Sequence, residues 1–160
     1  MGLIYRKNFS MDALLEILIS HFGEIDSKSD SIKFDMTDYY KEEFGNDLLR
    51  KFITFKKLTN PEKLAEIKIK TNDMEKQFSD QSGSRCVNID PGILSLAKVM
   101  LATTKDYSHR VPLQNGIYAE VTLSFKNGTY VPHPWTYPDY QRNDTIDFFN
   151  KVKDKYKSEI

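Results

Sequence analysis

The stretch Ile117-Tyr118-Ala119-Glu120-Val121-Thr122-Leu123-Ser124-Phe125-Lys126-Asn127-Gly128-Thr129-Tyr130-Val131-Pro132-His133-Pro134 reads as a β-hairpin and decides the fold class. Ile117, Ala119, Val121, Leu123 and Phe125 alternate with Tyr118, Glu120, Thr122 and Ser124, the period of a strand with two distinct faces. Asn127-Gly128 supplies the two positive φ angles of a type I′ turn. A two-residue turn pairs Lys126 with Thr129, Ser124 with Val131, Thr122 with His133 and Glu120 with Trp135. In this register Pro132 and Pro134 fall at non-hydrogen-bonded positions, where a missing N–H costs no ladder bond. The segment 129–134 is therefore expected to be an edge strand, and His133 to share a face with Glu120 and Thr122.

A second Asn-Gly, Asn115-Gly116, suggests a hairpin with 109–113. The same arithmetic would set His109 opposite Thr122. Pro112 objects, since its absent N–H would face Ala119. A longer loop or a shifted register is the alternative, and a one-residue slip would send His109 to the other face.

Upstream, Gly2-Leu3-Ile4-Tyr5 reads as a short strand. Ser10 is placed to cap a helix over 11–22, with Met11, Leu14, Leu15, Leu18, Ile19 and Phe22 on one stripe and Gly23 as its stop. His21 falls in the last turn of that helix, at its surface. The polar run 26–30 reads as a loop. Ile32, Phe34 and Met36 alternate with Lys33, Asp35, Thr37 and Tyr39 as a half-buried strand, before a break at Gly45-Asn46-Asp47. A strand over 49–57 follows. Asn60-Pro61 is a cap-and-proline start for a helix reaching about Phe78, and 79–84 is a turn-rich break, expected to be the most flexible segment. Cys86 lies in a short strand. Asp90-Pro91 repeats the cap-and-proline pattern, and the apolar residues of 91–104 predict a buried central helix. A last helix starts near Asn143 or Asp144, with Ile146, Phe149, Val152 and Tyr156 inward. These elements predict one α+β domain over 1–160: a single antiparallel or mixed sheet covered by about four helices.

Composition bounds the function. Apolar residues are 39% and charged residues 29%, a globular mixture. Lys plus Arg and Asp plus Glu balance at 23 each, which argues against general nucleic-acid binding, since that needs a net basic footprint. No apolar run approaches the roughly 20 residues of a membrane span. The first residues lack the pattern of a signal peptide or a myristoylation site. One cysteine excludes an internal disulfide, and with no His or Cys beside it in sequence Cys86 reads as a small core residue. The cytoplasm is the expected location.

Four segments carry a family resemblance: Phe34-Asp35-Met36-Thr37-Asp38-Tyr39-Tyr40, Val87-Asn88-Ile89-Asp90-Pro91-Gly92, His109-Arg110 with Gly116-Ile117-Tyr118-Ala119-Glu120-Val121-Thr122-Leu123, and Trp135-Thr136-Tyr137-Pro138-Asp139-Tyr140. In this order, over nearly the whole chain, they resemble the bacterial domain-of-unknown-function family 4416. The likeness departs at the start, where relatives carry more residues, and at Pro112. It brings no established activity with it. Some members bear a GTP-binding label, but this sequence has no G-x-x-x-x-G-K-[ST] loop and no Asn-Lys-x-Asp.

The residues themselves offer three functions. The first is binding of a small anionic metabolite or nucleotide. Its candidates are Lys105 and Arg110, with Arg85, Tyr118, Thr122, His133, Trp135 and Tyr137 around them. The second is a hydrolase or transferase acting on a phosphate ester, with His109, Glu120 and Asp35 as catalytic candidates in acid–base or metal-assisted chemistry. The third is a partner-binding domain with no small ligand. Each residue also has a plainer reading: Glu120 and Thr122 suit the solvated face of a half-covered sheet, and Trp135 and Tyr137 suit a lid over the core. No residue set has metal-ligand spacing, and no serine or cysteine stands in a nucleophile elbow.

Overall fold

The computed structural model describes residues 1–35, 44 and 47–160. The expected continuation of the strand through Met36, Thr37 and Tyr39, and the break at Gly45-Asn46, lie outside the described residues. The architecture is α+β, with three α-helices among the described residues and two antiparallel sheets. Backbone contacts gather into two compact units, Met1–Asn60 with Lys70–Ile89, and Pro61–Ile69 with Asp90–Ile160. Among the described residues no helix is long and apolar enough to cross a membrane.

The first unit holds a sheet ordered β2-β4-β1-β5, in which β3 also pairs with β4. Its strands are β1 (Gly2–Arg6), β2 (Ile25–Lys28), β3 (Ile32–Phe34), β4 (Leu48–Phe55) and β5 (Val87–Asp90). Helix α1 (Met11–Phe22) buries Leu14 and Leu18 against Leu3, Tyr5, Ile53, Met74, Val87 and Ile89. Full burial of each leucine contributes roughly 2 kcal/mol. Ser10 precedes the helix in an extended conformation but makes no side-chain capping bond. The polar run expected to be a loop begins as strand β2, because Ile25 and Lys28 find partners in Phe55 and Ile53 of β4. Helix α2 (Leu64–Gln77) follows a 3-10 turn at Pro61–Lys63, as the Asn60-Pro61 start predicts. The break at 79–84 is a turn in which the Asp80 carboxylate accepts bonds from the Ser82 and Ser84 N–H groups.

The second unit holds a sheet ordered β10-β9-β7-β6, with β8 also on β9. Its strands are β6 (Gly92–Leu94), β7 (Lys98–Thr103), β8 (Val111–Pro112), β9 (Tyr118–Lys126) and β10 (Thr129–Pro132). Leu64, Ala65, Ile93, Ala102, Ile117 and Ala119 form its core cluster. Helix α3 (Asn143–Glu159) begins where predicted and buries Phe149 and Val152.

Two expectations are corrected here. The single sheet is two sheets, and the central helix over 91–104 is the β6–β7 hairpin. Asp90-Pro91 is not a helix start: the Pro91 carbonyl accepts from Ala102 N–H across the hairpin. A Cβ at Gly92 would lie 2.5 Å from the Met100 carbonyl oxygen and 2.8 Å from Leu101, an approach that only glycine permits. Ser95 turns the chain, its N–H and Oγ both meeting the backbone of Lys98. A short stretch apolar on every side fits a doubly covered strand as well as a buried helix, and periodicity does not separate them.

The hairpin at Asn127-Gly128 has the expected register, Lys126 with Thr129 and Ser124 with Val131. Its turn residues have φ of 51° and 87°. β10 is an edge strand, and Asn150 of α3 covers it by accepting from Tyr130 N–H and donating to Thr129 Oγ1. The second hairpin takes the shifted register, Val111 with Ala119 and Pro112 with Tyr118, through a longer loop.

Candidate functional site

Strand β9 is longer than its neighbours on one side. There β8 pairs with Tyr118 and Ala119, and β10 with residues 123–126, so Glu120, Val121 and Thr122 face a gap between two partial strands. Side chains complete this edge. Trp135 Nε1 donates to the Val121 carbonyl at 2.9 Å, and Thr136 Oγ1 donates to the Thr122 carbonyl at 2.5 Å. Buried carbonyls need such partners, so the gap fixes the aromatic segment after β10. The chain entering β8 brings Tyr107, His109 and Arg110 to the same place.

Glu120 is the hub. Its Oε2 accepts from Arg110 Nε at 2.8 Å and lies 3.2 Å from His109 Nε2, while Oε1 accepts from Thr122 Oγ1 at 3.3 Å. The side chains of Glu120 and Arg110 are 1% and 2% exposed, whereas that of His109 is 20% exposed. Arg110 Nη1 donates to the Lys105 carbonyl and Nη2 to the Tyr137 hydroxyl. Burial works against the guanidinium charge, but the bonds and charge of Glu120 and Tyr137 outweigh it and raise its pKa. The cation thus stays charged, and every nitrogen of the guanidinium is engaged within the chain.

Above this hub the rings form a column. Tyr107 stacks on His109 (6.1 Å, 15°), His109 on Trp135 (5.2 Å, 13°) and Trp135 on His133 (4.7 Å, 1°). The Arg110 guanidinium lies 4.5 Å from the Tyr107 ring centre, within cation–π range. The indole of Trp135 is therefore held between two imidazoles. His133 Nε2 is 2.8 Å from Ser124 Oγ, and its N–H donates to Thr136 Oγ1. Tyr107, Trp135 and Tyr137 remain 54%, 38% and 44% exposed, so the column opens to solvent.

The sequence candidates divide sharply. His109, Arg110, Glu120, Thr122, His133, Trp135 and Tyr137 come together at this gap. Lys105 joins through its carbonyl. Tyr118 is half-buried at the start of β9, opposite Thr103 and Pro112. Asp35 and Arg85 belong to the first unit: Asp35 is exposed at the end of β3 and pairs with Lys33, while Arg85 bonds the buried Glu75. His133 does not reach Thr122 through backbone pairing, because β10 ends at Pro132. Among the described residues no group of three His, Cys, Asp or Glu side chains is placed to hold a metal ion. Tyr107, Ser124 and Thr136 were not among the candidates. Ser124 stands on the same alternating strand as Glu120 and Thr122, and Thr136 lies inside the aromatic segment 135–140, so both have a signal. Tyr107 had only its nearness to His109.

A family model described as Domain of unknown function (DUF4416) matches residues 1–156. No curated protein and no solved structure matches the chain.

Proposed function

We propose, for this chain that belongs to the DUF4416 family, that it binds a small anionic metabolite carrying a planar ring, a nucleotide being the leading candidate. The observation that carries this reading is the open ring column set directly on the Arg110–Glu120–His109 hub. Trp135 is covered on both faces, so it is Tyr107 and Tyr137, 54% and 44% exposed at the rim, that offer a stacking surface to a planar group, worth about 1–3 kcal/mol per stacked base. His109, whose side chain is 20% exposed beside the Glu120 carboxylate, is the group that meets the anion. Arg110 acts differently from the ligand contact expected of it: with its nitrogens engaged, it holds Glu120 and Tyr137 in place. The ligand gathers at the second unit alone, and the reading places the protein in the cytoplasm.

A thermal-shift screen of nucleoside mono-, di- and triphosphates tests it. A ligand at 100 times its Kd raises stability by about 2.7 kcal/mol, and the same ligand should give no shift with His109→Ala.

A second reading has its own observation, the 3.2 Å contact between His109 Nε2 and the buried Glu120 carboxylate. A carboxylate that orients an imidazole is the pairing used for proton transfer. In that reading His109 works as general acid or base on a phosphate ester. Release of phosphate from p-nitrophenyl phosphate by the wild type, absent in His109→Gln, would support it. Absence of release from both would leave binding alone.

A further inference from the structure

One contact at the end of the ring column, between Ser124 and His133, takes no part in the anion site. Ser124 Oγ and His133 Nε2 are 2.8 Å apart, hydrogen-bond reach for a nucleophile and its base. His133 is held on two sides. Its ring lies flat on Trp135, and its backbone exchanges bonds with Thr136 through N–H to Oγ1 and C=O from N–H. Ser124 is fixed in β9 by pairing with Val131 on one side and Lys98 on the other. Directly paired residues of an antiparallel ladder share a face, with Cβ atoms about 4.5–5.5 Å apart, so the Lys98 side chain leaves the sheet beside the Ser124 hydroxyl. The β7–β9 ladder is bulged next to this pair, between Val99 and Met100, a device that re-aims side chains at functional sites.

We propose that Ser124 is a nucleophile for activated acyl esters, with His133 as its general base and Lys98 as the cation for the developing oxyanion. In the tautomer bearing hydrogen on Nδ1, His133 Nε2 accepts the Ser124 proton as Oγ forms a bond to the carbonyl carbon. The electron pair of the carbonyl moves to oxygen, facing Lys98. Collapse of the tetrahedral intermediate breaks the bond to the leaving alkoxide, which takes the proton from His133. Water, deprotonated by the same imidazole, then releases the acid and restores Ser124. The indole face of Trp135 stabilises the transient imidazolium by a cation–π contact, the role a carboxylate fills in a triad.

The test is labelling of the wild-type protein with an alkyl fluorophosphonate, in which Oγ displaces fluoride from phosphorus. The expected result is one adduct, mapped by peptide mass to Ser124, formed at least tenfold faster than at any other serine. His133→Gln should slow it at least tenfold, and Lys98→Met several-fold, with the far-ultraviolet circular dichroism of both variants unchanged. Labelling of Ser124 no faster than of the other serines overturns the proposal without recourse to any variant. So does an undiminished rate in folded His133→Gln.

Discussion

Glu120 and Arg110 meet at 2.8 Å with both side chains almost fully buried, so each is the other's ion-pair partner away from water. Removing one partner of such a pair leaves an unpaired ion inside the protein, at a cost of about 3–5 kcal/mol. Glu120→Ala should therefore lower unfolding free energy in urea by that amount, and the double variant Glu120→Met with Arg110→Met should recover part of it. Asp80 makes a pH-dependent contribution in the first unit. The Ser82 hydroxyl first, and Arg6 second, hold its carboxyl down at about 2. A depressed folded pKa stabilises above the unfolded value of about 3.9 and loses that effect as pH falls through the folded value. Asp80→Asn should thus lower the melting midpoint at about pH 6, and the difference from wild type should close toward about pH 2. At this scale the sequence marked the residues but not their partners. Strand alternation put Glu120 and Thr122 on one face, yet the engagement of every Arg110 nitrogen depends on chain folding back from Tyr137 and Lys105.

Among the elements, the hairpin at Asn127-Gly128 was legible because three local signals agreed: alternation, turn chemistry and two prolines at positions that lose no ladder bond. The 91–104 stretch failed because its local signals agreed on the wrong answer. A proline after Asp90 resembles a helix start, and strand β7 is apolar on both faces. The deciding fact was Gly92, which lets β7 approach closely and which no periodicity reveals. Gly92→Ala should force the Met100 carbonyl and Leu101 away from the new methyl group. Overpacking of this kind costs about 1–3 kcal/mol, measurable as a lower urea midpoint with unchanged slope. Strand β2 was missed for the opposite reason: its polar residues hide a pairing that β4 imposes. The gap between β8 and β10 also lay beyond local reading, because it arises from two hairpins ending short on the same edge of β9.

For the whole molecule, four motifs in order placed the chain in its family and the run of strands and helices placed it in its fold class, while the division into two sheets emerged only in the strand pairing. The site belongs to one unit. Most of its residues were named from sequence because the two segments that supply them, around His109 and Trp135, were the ones dense in polar and aromatic side chains. Zero net charge makes any attraction for an anion local, and in the proposed function His109 above the hub supplies it. Trp135 is the sole tryptophan and stands in the centre of the ring column, so its emission reads the site directly. The decisive measurement is Trp135 fluorescence during titration with the nucleoside phosphates. Binding at the column should give a saturable change in emission with the wild type that His109→Ala abolishes. An emission that no nucleotide changes, or a change that persists unaltered in His109→Ala, would contradict it.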